Sequence, residues 1–176
     1  LRQAFSPIED LPVRLLTAPL CAIALSAVVV STAHAEVRPA ELDSAAAALE
    51  SRVIEWRRDF HAHPELGNRE FRTAAKVAEH LRKLGLEVRT GMAHTGVVAI
   101  LRGALPGPTI LLRADIDALP VTERTEVPFR STATGEFRGR TVGVMHACGH
   151  DAHTAMLMGA AQVLAGLRER LPGTIL

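Results

Sequence analysis

The chain has 176 residues, a formal net charge of +1 and 22% charged side chains, the profile of a globular protein with one core. It holds no tyrosine, one tryptophan and five phenylalanines, and its arginines alternate with acids along the chain. These features exclude a basic stripe and an aromatic stacking platform, so no nucleic-acid partner is expected.

The first 35 residues have the layout of an export signal. Arg14 precedes an apolar run from Leu15 to Val30, and Ala33-His34-Ala35 sets small residues at −3 and −1 of a cleavage point. The run contains Pro19 and falls short of the ~20 residues that a membrane-crossing helix needs. A signal peptide over 1–35, cut after Ala35, is therefore expected, with no stable membrane anchor and a periplasmic or secreted product. Of the two cysteines, only Cys148 survives that cut. A lone cysteine in an exported chain has no internal disulfide partner, which points to a ligand or reactive role.

Leu42, Ala46, Leu49, Val53, Trp56 and Phe60 repeat at helical spacing, with Pro39 suited to the first turn. This stripe is expected to face the core. Pro64 and Gly67 then stop the helix. His61 and His63 form a His-x-His pair; beside Pro64-Glu65-Leu66-Gly67 it reads as hydrogen bonding that ties the loop down, with metal binding the alternative. Asn68 is expected to cap a second helix whose face is Phe71, Ala74, Ala75, Ala78, Leu81 and Leu84, ended by Gly85.

The pattern then turns β-like. Gly96–Arg102 and Thr109–Ala114 read as adjacent antiparallel strands across a turn-rich link, Ala104–Pro108. The apolar run around Leu111 predicts burial on both faces of the sheet. From Ala118 to Arg140 the chain is irregular, and loops of this length often border a site. Within it, Gly135–Arg140 reads as an insertion that only lengthens the loop. A short strand over Thr141–Val144, a helix from about His153 to Leu171, and a strand starting at Thr174 complete the chain.

Met145-His146-Ala147-Cys148-Gly149-His150-Asp151-Ala152-His153 crowds three histidines, a cysteine and an aspartate into one loop before a helix. Thiolate, imidazole and carboxylate are the side chains that hold divalent metals. Cys148 and His150 stand two apart, which on an extended backbone sends both to one side. The competing reading, a polar helix start with Asp151 as N-cap, leaves Cys148 and His150 unexplained. Asp117, at the end of a predicted strand, is a candidate to accept a ring N–H from a ligating histidine; a solvated turn or helix cap is the alternative.

From Val53 onward the chain resembles the start of the metal-dependent amidohydrolases of the M20 peptidase family, of the hippurate hydrolase and indole-acetyl-amino-acid hydrolase kind. The resemblance lies in Arg57-Arg58-Asp59-Phe60-His61 with Pro64–Gly67, in Leu112–Pro120, and in Met145–His153. It implies an α/β fold, a zinc-exopeptidase-like catalytic domain with a mixed β-sheet flanked by helices on both faces. It also implies that Cys148 and His150 serve a two-metal centre of manganese or zinc, that Asp117 supports the site in a catalytic capacity, and that the substrate is a small N-acyl amino acid. Full-length relatives are expected to be homo-oligomers. The family's Glu-Glu pair, later histidines and inserted dimerisation domain have no counterpart here. Residues 36–176 are thus expected to be the N-terminal part of such a domain, with little or no hydrolase activity alone. A metal-binding module without catalysis, or a non-functional fragment, are the alternatives.

Overall fold

Helix α1 spans Pro39–Ala62, with its proline at the start, where a missing N–H costs nothing. A computed structural model describes residues 36–176; the expected export signal and its cleavage point lie outside the described residues. Only the second half of the α1 stripe is core: Phe60 is buried and Leu49, Val53 and Trp56 are half-buried, whereas Leu42 and Ala46 are exposed. The first turns meet a polar neighbour instead, as Arg170 Nη1 donates to Glu41 Oε2 at 3.0 Å.

Helix α2 (Phe71–Lys83) buries Ala74, Ala78 and Leu81 as its spacing predicts, but Phe71 is exposed. Its cap is not Asn68, which adopts a left-handed φ of 63° in the loop before it. The carboxylate of Glu65 does that work from the preceding loop. It accepts the main-chain N–H of Arg72 at 3.0 Å and of Thr73 at 2.8 Å, and the Thr73 hydroxyl at 2.9 Å. A charge facing first-turn N–H groups also complements the helix dipole. Trp56 meets the His80 ring edge-on at 4.6 Å, so α1 and α2 touch, and His80 Nε2 donates to the Met158 carbonyl at 3.1 Å.

The main sheet is mixed. Strands β1 (Glu87–Met92) and β2 (Gly96–Arg102) form an antiparallel hairpin; β1 was not foreseen, because its polar sequence lacks an apolar alternation. Strand β3 covers Leu105–Ile110: it takes in most of the stretch expected as a turn, and of the expected strand Thr109–Ala114 it includes only Thr109 and Ile110. Strand β6 (Pro172–Ile175) inserts between the two, giving the order β1-β2-β6-β3, so β2 and β3 are not neighbours. β6 runs antiparallel to β2 and parallel to β3. Pro106 and Pro108 fit because β3 is an edge strand whose register with β6 slips between Leu105 and Thr109. Gly173 makes the insertion possible: with φ 74°, an added Cβ would stand 1.9 Å from the Pro108 carbonyl oxygen. Leu111, expected to be buried, is 69% exposed. The physical reason is its edge position, since Ile110 and Leu112 bond to Leu176 on one side only.

The segment Gly135–Arg140 does more than lengthen a loop. It belongs to a hairpin of β4 (Thr134–Phe137) and β5 (Arg140–Gly143), turned by Arg138 and Gly139 with φ of 52° and 74°. Helix α3 (His150–Gly166) starts three residues earlier than expected and is followed by a 3₁₀ turn, Arg168–Arg170. Its Ala155 and Met158 join Phe60 and Ala78 among the most buried residues. The α/β class with a mixed sheet and packed helices is thus as expected.

Replacing Glu65 by alanine strands two first-turn N–H groups and is expected to cost about 1–2 kcal/mol, seen as a lower urea midpoint at unchanged slope. Asp59 accepts from Arg72 Nη2 at 2.8 Å and Lys76 Nζ at 2.7 Å. Burial pushes its carboxyl up, but these two cations outweigh burial and hold it below the ordinary value. A carboxyl depressed in the folded state adds stability above its unfolded pKa and loses it as pH falls through the folded one. Asp59→Asn should therefore lower the melting temperature at neutral pH and bring it closer to wild type below the usual carboxylate range.

Candidate metal centre

Two isolated bridges assemble the site. Leu66 pairs with Ala118, and Leu119 pairs with Met145. Ala118 N–H donates to the Glu65 carbonyl at 2.8 Å, while Leu119 and Met145 exchange bonds of 2.9 and 3.0 Å. Leu66, Ala118 and Val144 bury the contact, with Ala133 packed on it. Three segments far apart in sequence are thereby laid side by side, and Asp117 arrives beside the loop Met145–Gly149.

Asp117 meets His150. The ring nitrogen Nδ1 of His150 lies 3.0 Å from the Asp117 carboxylate Oδ1 and 3.0 Å from the Asp117 carbonyl oxygen. Both are acceptors, so Nδ1 must carry the proton. In a neutral ring the lone pair then sits on Nε2, which has no hydrogen-bond partner among the described residues. This is the arrangement that fixes a ligating histidine's tautomer and raises its basicity. The Cys148 side chain is exposed and unpaired in any disulfide. Asp115 does not join this group; its carboxylate pairs with Arg113 Nη2 at 2.6 Å, and its carbonyl accepts from Thr154.

Cys148 and His150 do not sit on extended backbone. Gly149 between them has φ 83° and serves as the N-cap of α3, so Cys148 belongs to the turn and His150 to the helix. The sharp bend at Gly149, and not strand alternation, sets their relation. His63 is exposed, with Nδ1 donating to the Asp59 carbonyl at 2.8 Å, so it does not pair with His61 around an ion. His61 is buried and fastened at both nitrogens: Nδ1 lies 2.8 Å from Asp151 Oδ2, and Nε2 lies 3.0 Å from Glu123 Oε1. This agrees with the expected tying role.

Asp151, whose place in the sequence fits an N-cap, is 1% exposed and makes no cap bond. Its Oδ2 also accepts Arg57 Nε at 2.9 Å. Glu123 lies in the irregular loop and was not singled out by sequence reasoning; no motif marks it. Burial raises its carboxyl, but bonds from the Thr125 hydroxyl, His61 and the Ser131 main-chain N–H outweigh that and hold it below the ordinary value. His146 is 5% exposed, and neither ring nitrogen has a partner. Such an orphan costs about 1–3 kcal/mol. Desolvation is the main cause that holds its pKa down; Asp151 and Asp117 oppose it, and His61 and His150 add to it.

The residues present fit a divalent metal in part. A thiol, an imidazole with its lone pair directed by Asp117, and an orphaned buried imidazole next to them are the right donor chemistry. Among the described residues, however, no group of three His, Cys, Asp or Glu side chains stands in metal-holding geometry. A catalytic metal usually needs three protein ligands and an open position.

Comparison with known proteins identifies the family and the fold. Residues 111–176 match the profile of peptidase family M20/M25/M40. Thermostable carboxypeptidase 1 of Saccharolobus solfataricus is 47% identical over 128 residues, covering 72% of this chain and 30% of that protein. The N-acyl-L-amino acid amidohydrolase of Geobacillus stearothermophilus is 46% identical over 123 residues, covering 70% and 31%. Among solved structures, the Bacillus subtilis YXEP protein, a dinuclear metal-binding peptidase from the M20 family, superposes with a TM-score of 0.65 at 42% identity, covering 73% of this chain and 34% of that one. The chain belongs to the M20 peptidase family and spans about 30% of the length of the curated relatives it matches.

If Asp117 sets the His150 tautomer, Asp117→Asn should weaken binding of Zn²⁺ or Mn²⁺ by about 10–100-fold in titration calorimetry. The same ions should slow modification of Cys148 by a thiol reagent, and His150→Ala should abolish that protection.

Proposed function

We propose that the protein hydrolyses the amide bond of small N-acyl amino acids with the help of divalent metal, manganese or zinc, two ions to a site. The observation that carries this is the His150 ring, held by Asp117 at Nδ1 with Nε2 left free, two residues along the chain from the exposed Cys148 thiol. Support comes from relatives named N-acyl-L-amino acid amidohydrolase and N-acetyl-L-cysteine deacetylase. Cys148 and His150 are the residues that would hold metal. When bound, metal of this kind supplies Lewis-acid polarisation of a carbonyl and a water nucleophile at neutral pH. Asp117 keeps the proton on Nδ1, and its own carboxylate gives local negative charge that balances a cation. Gly149 fixes the angle between the two donors. Export to the periplasm or beyond is part of the same proposal, supported by the composition of residues 1–35. Among the described residues no helix is long and apolar enough to cross a membrane. Homo-oligomerisation, as the resemblance implies for full-length relatives, is likewise proposed.

Because no group of three donors stands in metal-holding geometry among the described residues, the 176-residue chain alone is expected to bind metal weakly and to turn over no substrate. Expression of the full reading frame with Mn²⁺ or Zn²⁺ should give hydrolysis of hippurate-type amides, and Cys148→Ala should lower kcat/KM by at least about 100-fold. Absence of turnover for every N-acyl amino acid tried would overturn the proposal. N-terminal sequencing of the exported product should begin at Glu36.

A further inference from the structure

One group of buried charges lies beneath the metal-ligand loop. Asp151 directly follows His150, and its carboxylate is held by Arg57 from α1 and by His61 from the end of α1. The other side of the His61 ring meets Glu123, whose side chain is 1% exposed. Glu123 is itself locked by the Ser131 main-chain N–H and the Thr125 hydroxyl, both at 2.5 Å. Phe129 covers the group. Its ring meets His61 edge-on at 5.6 Å and lies 5.1 Å from the Arg57 guanidinium carbon.

We infer that Glu123 is a positioning residue that acts through His61 and Asp151 on the loop Met145–His150. With a carboxylate oxygen on each ring nitrogen, His61 donates from both and carries a positive charge. Arg57 and His61 then balance Asp151 and Glu123, two charges of each sign in one chain of contacts, of which His61, Asp151 and Glu123 are buried and Arg57 is 40% exposed. Buried charges of this kind are stable only as a complete set, because a single removal strands the rest. Asp151 occupies the first turn of α3, so its position is the position of His150. The short stretch 117–123 thereby reaches the donor pair twice, directly through Asp117 and indirectly through Glu123, His61 and Asp151. The inference rests on the assignment of Cys148 and His150 as metal donors, but its first two tests need no metal.

The first measurement uses the unaltered chain labelled with ¹⁵N-histidine. Two exchange-protected ring N–H signals from His61 are expected; a single ring N–H overturns the inference, whether or not any variant folds. The second uses Glu123→Gln, which keeps the side chain's size and removes its charge. Hydrogen exchange should quicken about tenfold over residues 145–153 and stay unchanged in β1 and β2. Equal quickening everywhere would mark a general stabiliser, and no change an idle residue; either result overturns the inference. The third is calorimetry with Mn²⁺, where Glu123→Gln should weaken Kd about tenfold. If the unaltered chain takes up no Mn²⁺ or Zn²⁺, the assignment of Cys148 and His150 fails, while the ring signals and the exchange pattern still decide the role of Glu123.

Discussion

The structure turns on the short antiparallel contact between Leu119 and Met145, flanked by the bridge from Leu66 to Ala118. None of these residues has a reactive side chain. Their main-chain bonds nonetheless decide where Asp117 stands, and from that follows which nitrogen of His150 holds the proton. Shifting such a contact by one residue would turn the neighbouring side chains to the opposite face. The apolar trio Leu66, Ala118 and Val144 supplies the burial that holds the register. The meeting of Asp117 with His150 is therefore secured by packing a few residues away from it.

Electrostatics adds a second layer. The donor loop is bracketed by carboxylates that have different tasks. Asp117 is partly open to solvent and touches the His150 ring directly, whereas Asp151 is fully enclosed and bonds to Arg57 and His61. A surface ion pair contributes little, but an enclosed one that is broken leaves a bare charge and a large penalty. His146, without a partner on either nitrogen, is the unsatisfied member of this neighbourhood and marks it as a place built for more than packing.

Much of this was legible in the sequence, for reasons that differ by element. Helix spacing located α1 and α2, and the dense motif around Cys148 marked the candidate site, because both signals are local. The pairing of Asp117 with His150 was also foreseen, since a strand-end carboxylate suits a ligand histidine. What failed depends on contacts between distant segments. Strand β3 runs through Pro106 and Pro108, which is tolerable only at an edge, and nothing local announces an edge. The insertion of β6 between β2 and β3 requires the close approach at Gly173, visible only once the strands are placed. Asn68 satisfies every rule for a cap, yet Glu65 reaches the same N–H groups from further back and takes the role. Glu123 gave no signal because its partner His61 lies 62 residues away.

Gly149 carries a consequence of its own. It sits at φ 83° between the thiol and the imidazole, at the point where turn becomes helix. A side chain there meets no neighbour within 4 Å, so crowding is not what keeps the position bare. The backbone angle is, because L-residues pay about 1 kcal/mol or more to adopt it. A methyl group at 149 would thus strain the turn that relates Cys148 to His150 without touching either side chain. An alanine there would look harmless by size, yet its whole effect would be felt in the backbone bend from which both side chains depart.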